Sequence, residues 1–237
     1  MSLVPRSRLR FYLDRVAHAS NQLAIIPHYA EGTRMALIKA PLTEDEYLKF
    51  ERAATDRHEY FDGQIFAMAG ESGDHADIVS NTVASLGNQL QDGPCRVRVA
   101  RTKIRSGPLP RSPKRPTGLY SYPDIVVICD EPKYLDEHTD VVLNPKVIIE
   151  TLSKSTEAFD RGAKFTRYQQ FSPTLTDYVL VSQDRPQIEH YHREKNGKWT
   201  YECHLGLKAV VKLASIKCRL KAMAVYRRVK FKARNGA

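Results

Sequence analysis

The chain has 237 residues, of which 42% are hydrophobic, and this predicts one domain with a sizeable core. No apolar run approaches the roughly 20 residues of a membrane span, and the N-terminus lacks the apolar segment of a secretory signal. We therefore expect a cytoplasmic protein with no membrane partner. The four cysteines are widely scattered and form no CxxC pair, which argues against zinc and favours reduced thiols: Cys95, Cys129, Cys203 and Cys218.

The net charge of +10 comes from the C-terminal end of the chain. Residues 205–237 contain ten lysines and arginines and no acid, and the remaining 27 bases balance the 27 acids. A basic end of this kind suits a polyanion, either nucleic acid or an acidic membrane surface. A solvated strand and tail explains it equally well.

The first half of the chain begins with residues 1–34, which lack periodicity and are expected to be a poorly ordered extension of a domain spanning 35–237. Thr43 and Glu46 form a capping-box pattern before a short helix over 44–51. Asp62-Gly63 predicts the turn of a hairpin over 59–68. Asp74 is the expected cap of a second helix, whose apolar positions recur every four residues: Ile78, Thr82, Leu86 and Leu90.

A strand and a basic loop follow. Residues 95–104 alternate as one strand, with Arg96 and Arg98 on the same face. The proline-rich loop over 106–120 carries three bases and no acid: Arg111, Lys114 and Arg115.

The second half alternates strands with one helix. Residues 122–128 and 146–153 are β-branched runs typical of buried strands, and 177–182 is a third. Between them, Ser155 or Thr156 is expected to cap a helix that ends near Phe171. Asn196-Gly197 predicts a hairpin turn, and a final strand over 216–220 precedes a short basic helix near Val225. The predicted fold class is α/β, a mixed sheet flanked by helices.

Two acids occupy unusual places in the core strands. Asp124 opens the first strand behind a proline, and Glu150 stands at the far end of the second. Two like charges close together in a poorly solvated place cost free energy unless a cation lies between them. Carboxylate oxygens are the ligands of Mg²⁺ or Mn²⁺. The alternative is that Asp124 starts a turn and Glu150 merely emerges from a strand.

Other candidates are weaker on spacing alone. Lys164 could serve a metal site, but an ordinary helical ion pair with Asp160, four residues earlier, is favoured. Lys154 lies in the turn after the strand and is expected to be solvated. Glu59 precedes the first hairpin and could add a third carboxylate.

The histidines are expected to be ordinary surface residues. His75 falls in the first turn of a helix, where a solvent-facing polar residue is normal. His190 and His192 share one strand face and could bind a metal, but two exposed histidines in a hairpin are the simpler interpretation. Motifs for acyl transfer, nucleotide hydrolysis and zinc proteases do not occur.

Four spaced motifs resemble one family. The family is that of the Uma-type putative restriction endonucleases. The four segments similar to its motifs are Glu59-Tyr60-Phe61-Asp62-Gly63-Gln64-Ile65, Tyr122-Pro123-Asp124, Ile149-Glu150-Thr151-Leu152-Ser153-Lys154-Ser155-Thr156, and Asp160 with Lys164 and Tyr168. That family belongs to the PD-(D/E)xK phosphodiesterase superfamily. The resemblance runs from about Met35 to Phe231.

The resemblance implies a restriction-endonuclease-like core, divalent-metal dependence and phosphodiester hydrolysis. Asp124 and Glu150 match the metal-binding acids of the family pattern. Glu59 matches the glutamate that precedes them in that pattern. The superfamily pattern has a lysine two residues after the metal-binding glutamate, but that position is Leu152 in this chain. In the Uma-type pattern a lysine of the next helix takes its place, which corresponds to Lys164.

The sequence therefore predicts a Mg²⁺- or Mn²⁺-dependent DNA endonuclease. Its catalytic residues would be Asp124, Glu150, Lys164 and Glu59, and its phosphate contacts would come from Arg96, Arg98, the basic loop and the C-terminal bases. A homodimer would suit cleavage of both strands. The first alternative is a non-catalytic nucleic-acid-binding module on the same fold. The second is a carboxylate-pair glycosidase, which the single tryptophan disfavours because such clefts are rich in aromatic surface.

Overall fold

The computed structural model describes residues 41–68, 70–99, 101–108 and 117–231, and its centre is a six-stranded mixed sheet. The order of the strands is β11-β10-β9-β8-β6-β3. Strands β8 and β9 are parallel, and the other neighbours are antiparallel. The strands are β3 (Cys95–Val99), β6 (Ile125–Cys129), β8 (Val147–Leu152), β9 (Asp177–Ser182), β10 (Gln187–Arg193) and β11 (Trp199–Leu205).

A second sheet has five short strands in the order β2-β1-β5-β4-β7. Only β4 and β7 are parallel. These strands are β1 (His58–Phe61), β2 (Gln64–Ala67), β4 (Lys103–Ser106), β5 (Leu119–Ser121) and β7 (Val141–Val142). The predicted mixed α/β architecture is confirmed.

Helices and a small hairpin cover the sheets. The helices are α1 (Glu44–Ala53), α2 (Gly73–Leu90), α3 (Glu157–Phe159), α4 (Phe165–Phe171) and α5 (Ala222–Val225). A π-helical turn, Asp160–Lys164, connects α3 to α4. The hairpin pairs β12 (Val210–Leu213) with β13 (Cys218–Lys221) through a 3₁₀ turn, Ala214–Ile216. Among the described helices, none is long and apolar enough to cross a membrane.

Local sequence signals account for most of these boundaries. The capping box before α1 forms as predicted, since Thr43 and Glu46 each accept a hydrogen bond from the other's backbone. Asp62 and Gly63 both adopt positive φ, at 47° and 90°, as a two-residue hairpin turn requires. The predicted apolar positions of α2 are buried.

Both faces of the six-stranded sheet are covered. On one face α2 and the β12–β13 hairpin pack against residues such as Ile149, Val179 and Val181. On the other face α4 packs against Ile148 and Leu180. Because alternate residues of a strand point to opposite faces, Glu150 in β8 lies on the second face, under α4 and the π-helical turn.

Several local predictions differ from the structure. Ser72, rather than Asp74, caps α2. The predicted single strand over 95–104 is two strands in different sheets, because the chain leaves the central sheet after Val99. The helix over 156–171 is present, but the π-helical turn interrupts it. Strand β12 was not predicted.

Two cysteines are not reduced thiols. Cys95 and Cys129 form a disulfide, which corrects the expectation from their spacing. The physical reason is the antiparallel register of β3 and β6, which places the two residues directly opposite each other with Cα atoms 3.9 Å apart. Cys203 and Cys218 are free thiols.

Candidate active site

The two predicted acids lie close together where the chain leaves β5 of the five-stranded sheet and enters β6 of the six-stranded sheet. Asp124 directly precedes β6, and Glu150 is the fourth residue of β8, inside the strand rather than at its far end. Ile125 pairs with Ile149, so the acids are neighbours. The Asp124 amide donates to Glu150 Oε2 at 3.4 Å, and Asp124 Oδ2 accepts from the amide of Thr151 at 2.6 Å.

Lys164 reaches this pair from the π-helical turn. Its Nζ lies 2.7 Å from Glu150 Oε1, 3.1 Å from Glu59 Oε1 and 3.2 Å from Asp160 Oδ1. The helical pair with Asp160 predicted from spacing is therefore present, and the same ammonium also contacts two strand carboxylates. Tyr178 supports the turn because its hydroxyl donates to the Asp160 carbonyl at 3.0 Å.

The cluster holds more negative than positive charge. Lys164 is shared by three carboxyl groups, and Asp124 adds a fourth beside Glu150. Burial, together with the nearby Asp160 and Asp124, raises the pKa of Glu150 to about 8 although Lys164 opposes this shift. Burial lowers the pKa of Lys164, but Glu150 and Asp160 outweigh burial and leave that pKa well above its usual value. The lysine therefore stays charged, and Glu59, Glu150 and Asp160 share its single positive charge.

Glu59 enters from the other sheet. It lies in β1, is 3% exposed, and its Oε1 accepts from the amide of Tyr122 at 3.2 Å. Tyr122 is two residues before Asp124. This hydrogen bond therefore connects Glu59 to the segment that contains Asp124. The structure thus brings together Asp124, Glu150, Lys164 and Glu59.

His75 faces a cleft, contrary to the sequence prediction that it is a surface residue. Its Nε2 lies 3.0 Å from Asp124 Oδ1, and it is 9% exposed rather than solvent-facing. Gln183 donates to His75 Nδ1 at 3.3 Å, so a neutral His75 carries its proton on Nε2 and donates to Asp124. Burial lowers the pKa of His75, but Asp124, Glu71 and Asp160 together outweigh burial and raise it. No local pattern marks a contact across 49 residues of sequence.

A cleft of about 590 Å³ opens onto these side chains. Asp124, Glu150, Glu59, Lys164 and His75 all line it. Lys154 also lines the cleft and is exposed, as its position in the turn predicted.

A family model covers most of the chain. Residues 44–216 match Uma2, described as "Putative restriction endonuclease". The chain belongs to the Uma2 family. The four motifs that suggested this family all lie within the matched region, which confirms the resemblance.

The chain is also similar to two Synechocystis proteins and to one solved structure. The "Uncharacterized protein slr1290" of Synechocystis is 37% identical over 67% of this chain and 77% of its own length. The "Uncharacterized protein sll1609" of the same organism is 31% identical over 74% of this chain and 94% of its own length. A crystal structure of "a putative nuclease belonging to DUF820 from Anabaena variabilis" superposes with a TM-score of 0.61. That likeness covers 78% of this chain and 98% of the other, at 18% identity, and shows a shared fold.

The donor set of this Uma2-family site fits a divalent cation. Asp124 and Glu150 offer hard carboxylate oxygens, and Glu150 Oε1 makes no hydrogen bond among the described residues despite its contact with Lys164. Glu71, His75 and Asp124 place a further set of ligand atoms within 4.8 Å of one another. Burial and the nearby Asp160 and Asp124 raise the pKa of Glu150, and a bound divalent ion would favour its ionised form.

The predicted phosphate-binding arginines lie outside the cleft. Arg96 pairs with Glu131 at 3.3 Å, and Arg98 donates to the Tyr134 hydroxyl at 2.9 Å. Arg98 is opposite Val126, two residues from Asp124, whereas Arg96 is opposite Ile128 and farther away. The three bases of the predicted loop, at positions 111, 114 and 115, lie outside the described residues.

Proposed function

We propose that this chain is a metal-dependent endonuclease that hydrolyses phosphodiester bonds of DNA. Asp124 and Glu150 would hold Mg²⁺ or Mn²⁺, and Glu59 would support the metal or its water. The observation that carries the proposal is the contact of Lys164 with both Glu150 and Glu59. A helical lysine thereby stands in the cleft beside the two acids, although position 152 holds a leucine.

Each residue of the cleft would have a separate role in phosphodiester hydrolysis. When bound, the divalent ion supplies an acidified water and neutralises phosphate charge. Lys164 remains protonated and stabilises the negative charge that develops while water attacks phosphorus and the P–O bond breaks. His75, held by Gln183, orients the Asp124 carboxylate through its Nε2 proton. Asp160 keeps the Lys164 ammonium in place.

Phosphate contacts outside the cleft would hold the DNA without reading its sequence. Arg96 and Arg98 on β3, outside the cleft, would supply some of these contacts, and the predicted basic loop, with Arg111, Lys114 and Arg115, would add to them. Eight C-terminal bases are exposed: Lys208, Lys212, Lys217, Arg219, Lys221, Arg227, Arg228 and Lys230. If five of the C-terminal bases contact phosphates, neutralising them should lower the slope of log K against log salt by about 4 to 5 units. A homodimer would present two such clefts to a duplex.

Cleavage of supercoiled plasmid in Mg²⁺ and in Mn²⁺ tests this function. We expect nicking by the wild type that EDTA abolishes and that Asp124→Ala reduces by at least about 100-fold, the usual size of a lost electrostatic contact at a reacting centre. Circular dichroism of the variant would establish that it is folded.

Metal-independent cleavage would contradict the proposal. A wild type that retards DNA on a gel but never cuts it would instead favour the non-catalytic binding module. Cleavage that survives in Asp124→Ala would place the active site elsewhere in the chain.

A further inference from the structure

A second cluster of titratable side chains lies on the opposite face of the six-stranded sheet from Glu150. Its members come from three adjacent strands: Asp177 in β9, His190 and His192 in β10, and Glu202 and His204 in β11. Asp177 shares its face with Val179 and Val181, whereas Glu150 pairs with Leu180, which points to the other face. The cluster is therefore separate from the proposed nuclease site.

His190 is the centre of this cluster and is not the exposed residue that the sequence predicted. It is 6% exposed, and its Nε2 lies 2.8 Å from Asp177 Oδ1. A neutral imidazole that donates from Nε2 keeps a free lone pair on Nδ1. A carboxylate that holds one ring nitrogen in this way is the usual outer partner of a metal-binding histidine, because it fixes the tautomer and the ring orientation.

Asp177 is well suited to this outer role because it is fully buried and accepts hydrogen bonds from several neighbouring side chains. Besides His190, it accepts from His192 Nδ1 at 2.9 Å, from Thr176 Oγ1 at 2.9 Å and from the Ser215 hydroxyl. These hydrogen bonds hold the Asp177 carboxylate in a fixed position, from which it orients the His190 ring.

Two further ligands stand beside His190 on the edge strand. Glu202 is directly opposite His190 in the β10–β11 register, and His204 lies two residues further on the same face. One ligand atom from each of these three residues lies within 4.8 Å of the other two. Among the described residues, the buried His204 Nε2 makes no hydrogen bond, although Glu202 Oε2 is 3.2 Å away.

We propose that His190, Glu202 and His204 bind a late divalent transition-metal ion such as Zn²⁺, and that Asp177 positions His190. Two imidazoles and one carboxylate form a ligand set that suits Zn²⁺, Co²⁺ or Ni²⁺ better than Mg²⁺. The ion fastens the edge strand β11 to β10 and, through Asp177, to β9. It is a binding site distinct from the oxygen-rich cleft.

Direct binding of Zn²⁺ and Co²⁺ to the full chain tests this site. The parent is Asp124→Ala, which removes a ligand from the Glu71–His75–Asp124 group. Equilibrium dialysis should give one Zn²⁺ per chain, and Co²⁺ should give a visible absorption band that Zn²⁺ displaces. Adding His204→Ala should weaken Zn²⁺ binding by more than the about 10–100-fold that loss of an outer partner costs.

Two matched histidine variants make the test specific. His138→Ala removes an exposed histidine outside the cluster, and His192→Ala removes a partner of Asp177 that is not a proposed ligand. Both should bind Zn²⁺ as the parent does. Absence of bound Zn²⁺ from the parent, or unchanged binding in His204→Ala, would overturn the proposal. Loss of binding in His192→Ala with retention in His204→Ala would do so as well, because it would assign the ion to Asp177, His190 and His192.

The same comparison applies in the wild-type chain if Asp124→Ala does not fold. There, His204→Ala should lose one equivalent of Zn²⁺ relative to His138→Ala, whatever the nuclease activity of either protein. Equal stoichiometry in the two variants would contradict the proposed site.

Discussion

Glu150 and Asp177 are buried carboxylic acids on adjacent parallel strands, yet the protein treats them in opposite ways. Glu150 is 4% exposed and its pKa is raised to about 8. Asp177 is fully buried and its pKa is lowered to about 2. Burial acts on both in the same direction, so the difference comes from their neighbours. Asp177 collects donors from two histidines and two hydroxyls, whereas Glu150 shares one lysine with two other acids.

This contrast indicates that the Asp177 carboxylate stabilises the fold, whereas the Glu150 carboxyl group is suited to binding a ligand. The donors around Asp177 compensate its desolvation, and the group needs nothing further. The surroundings of Glu150 leave negative charge uncompensated, which costs stability in the absence of a cation. Such under-compensated groups in a cleft are typical of functional sites.

Removing Asp177 should have the largest effect on stability. Asp177→Ala leaves His190, His192 and Ser215 without their acceptor, and each unsatisfied buried donor costs about 1–3 kcal/mol. We expect the free energy of unfolding in urea at pH 7 to fall by about 3 kcal/mol. Asp56→Ala, which removes an exposed acid, should change it by less than about 0.5 kcal/mol. A loss at position 177 as small as that of the control would refute the structural role of Asp177.

Removing the charge of Glu150 should act with the opposite sign. Glu150→Gln keeps the shape of the side chain, and Lys164 keeps Glu59 and Asp160 as partners. The variant should therefore gain about 1 kcal/mol of unfolding free energy at pH 8 without metal, while losing cleavage. Urea unfolding in EDTA measures the gain. A variant less stable than the wild type would show that the Lys164 contact outweighs the charge excess.

The two carboxyl groups should also give opposite dependences of stability on pH. Between pH 4.5 and 8 folded Glu150 holds a proton that the unfolded chain has released, so stability falls as pH rises. Between pH 3.8 and 2 the unfolded chain takes up a proton that folded Asp177 does not bind, so stability falls as pH falls. Unfolding curves across this range should lose the first trend in Glu150→Gln and the second in Asp177→Ala. Retention of both trends in both variants would assign them to other groups.

The sequence alone could predict the core strands and the acid pair, because both are local patterns. Asp124 and Glu150 stand out as charges within β-branched runs, and the hairpin turns and the capping box are equally local. The reach of Lys164 could not be derived from spacing, since its place four residues after Asp160 is also that of an ordinary helical ion pair. The resemblance to the family supplied that prediction, and the π-helical turn provides the geometry.

Contacts between distant segments were beyond the sequence. His75 meets Asp124 across 49 residues, and Gln183 meets His75 across 108. The Cys95–Cys129 disulfide depends on the pairing of β3 with β6, which no local pattern specifies. The pairing of His190 with Glu202 was also beyond the sequence, because a two-residue turn at Asn196-Gly197 would place His190 opposite Cys203 instead.

The most direct test of the proposed active site compares two lysines that line the same cleft. Lys164 contacts Glu150 and Glu59, whereas Lys154 is exposed at the rim. We would measure the rate of plasmid nicking in Mn²⁺ by Lys164→Ala and Lys154→Ala under single-turnover conditions. We expect a loss of at least about 100-fold for Lys164→Ala and less than about tenfold for Lys154→Ala. Equal rates in the two variants would contradict a catalytic role for Lys164 and with it the proposed active site.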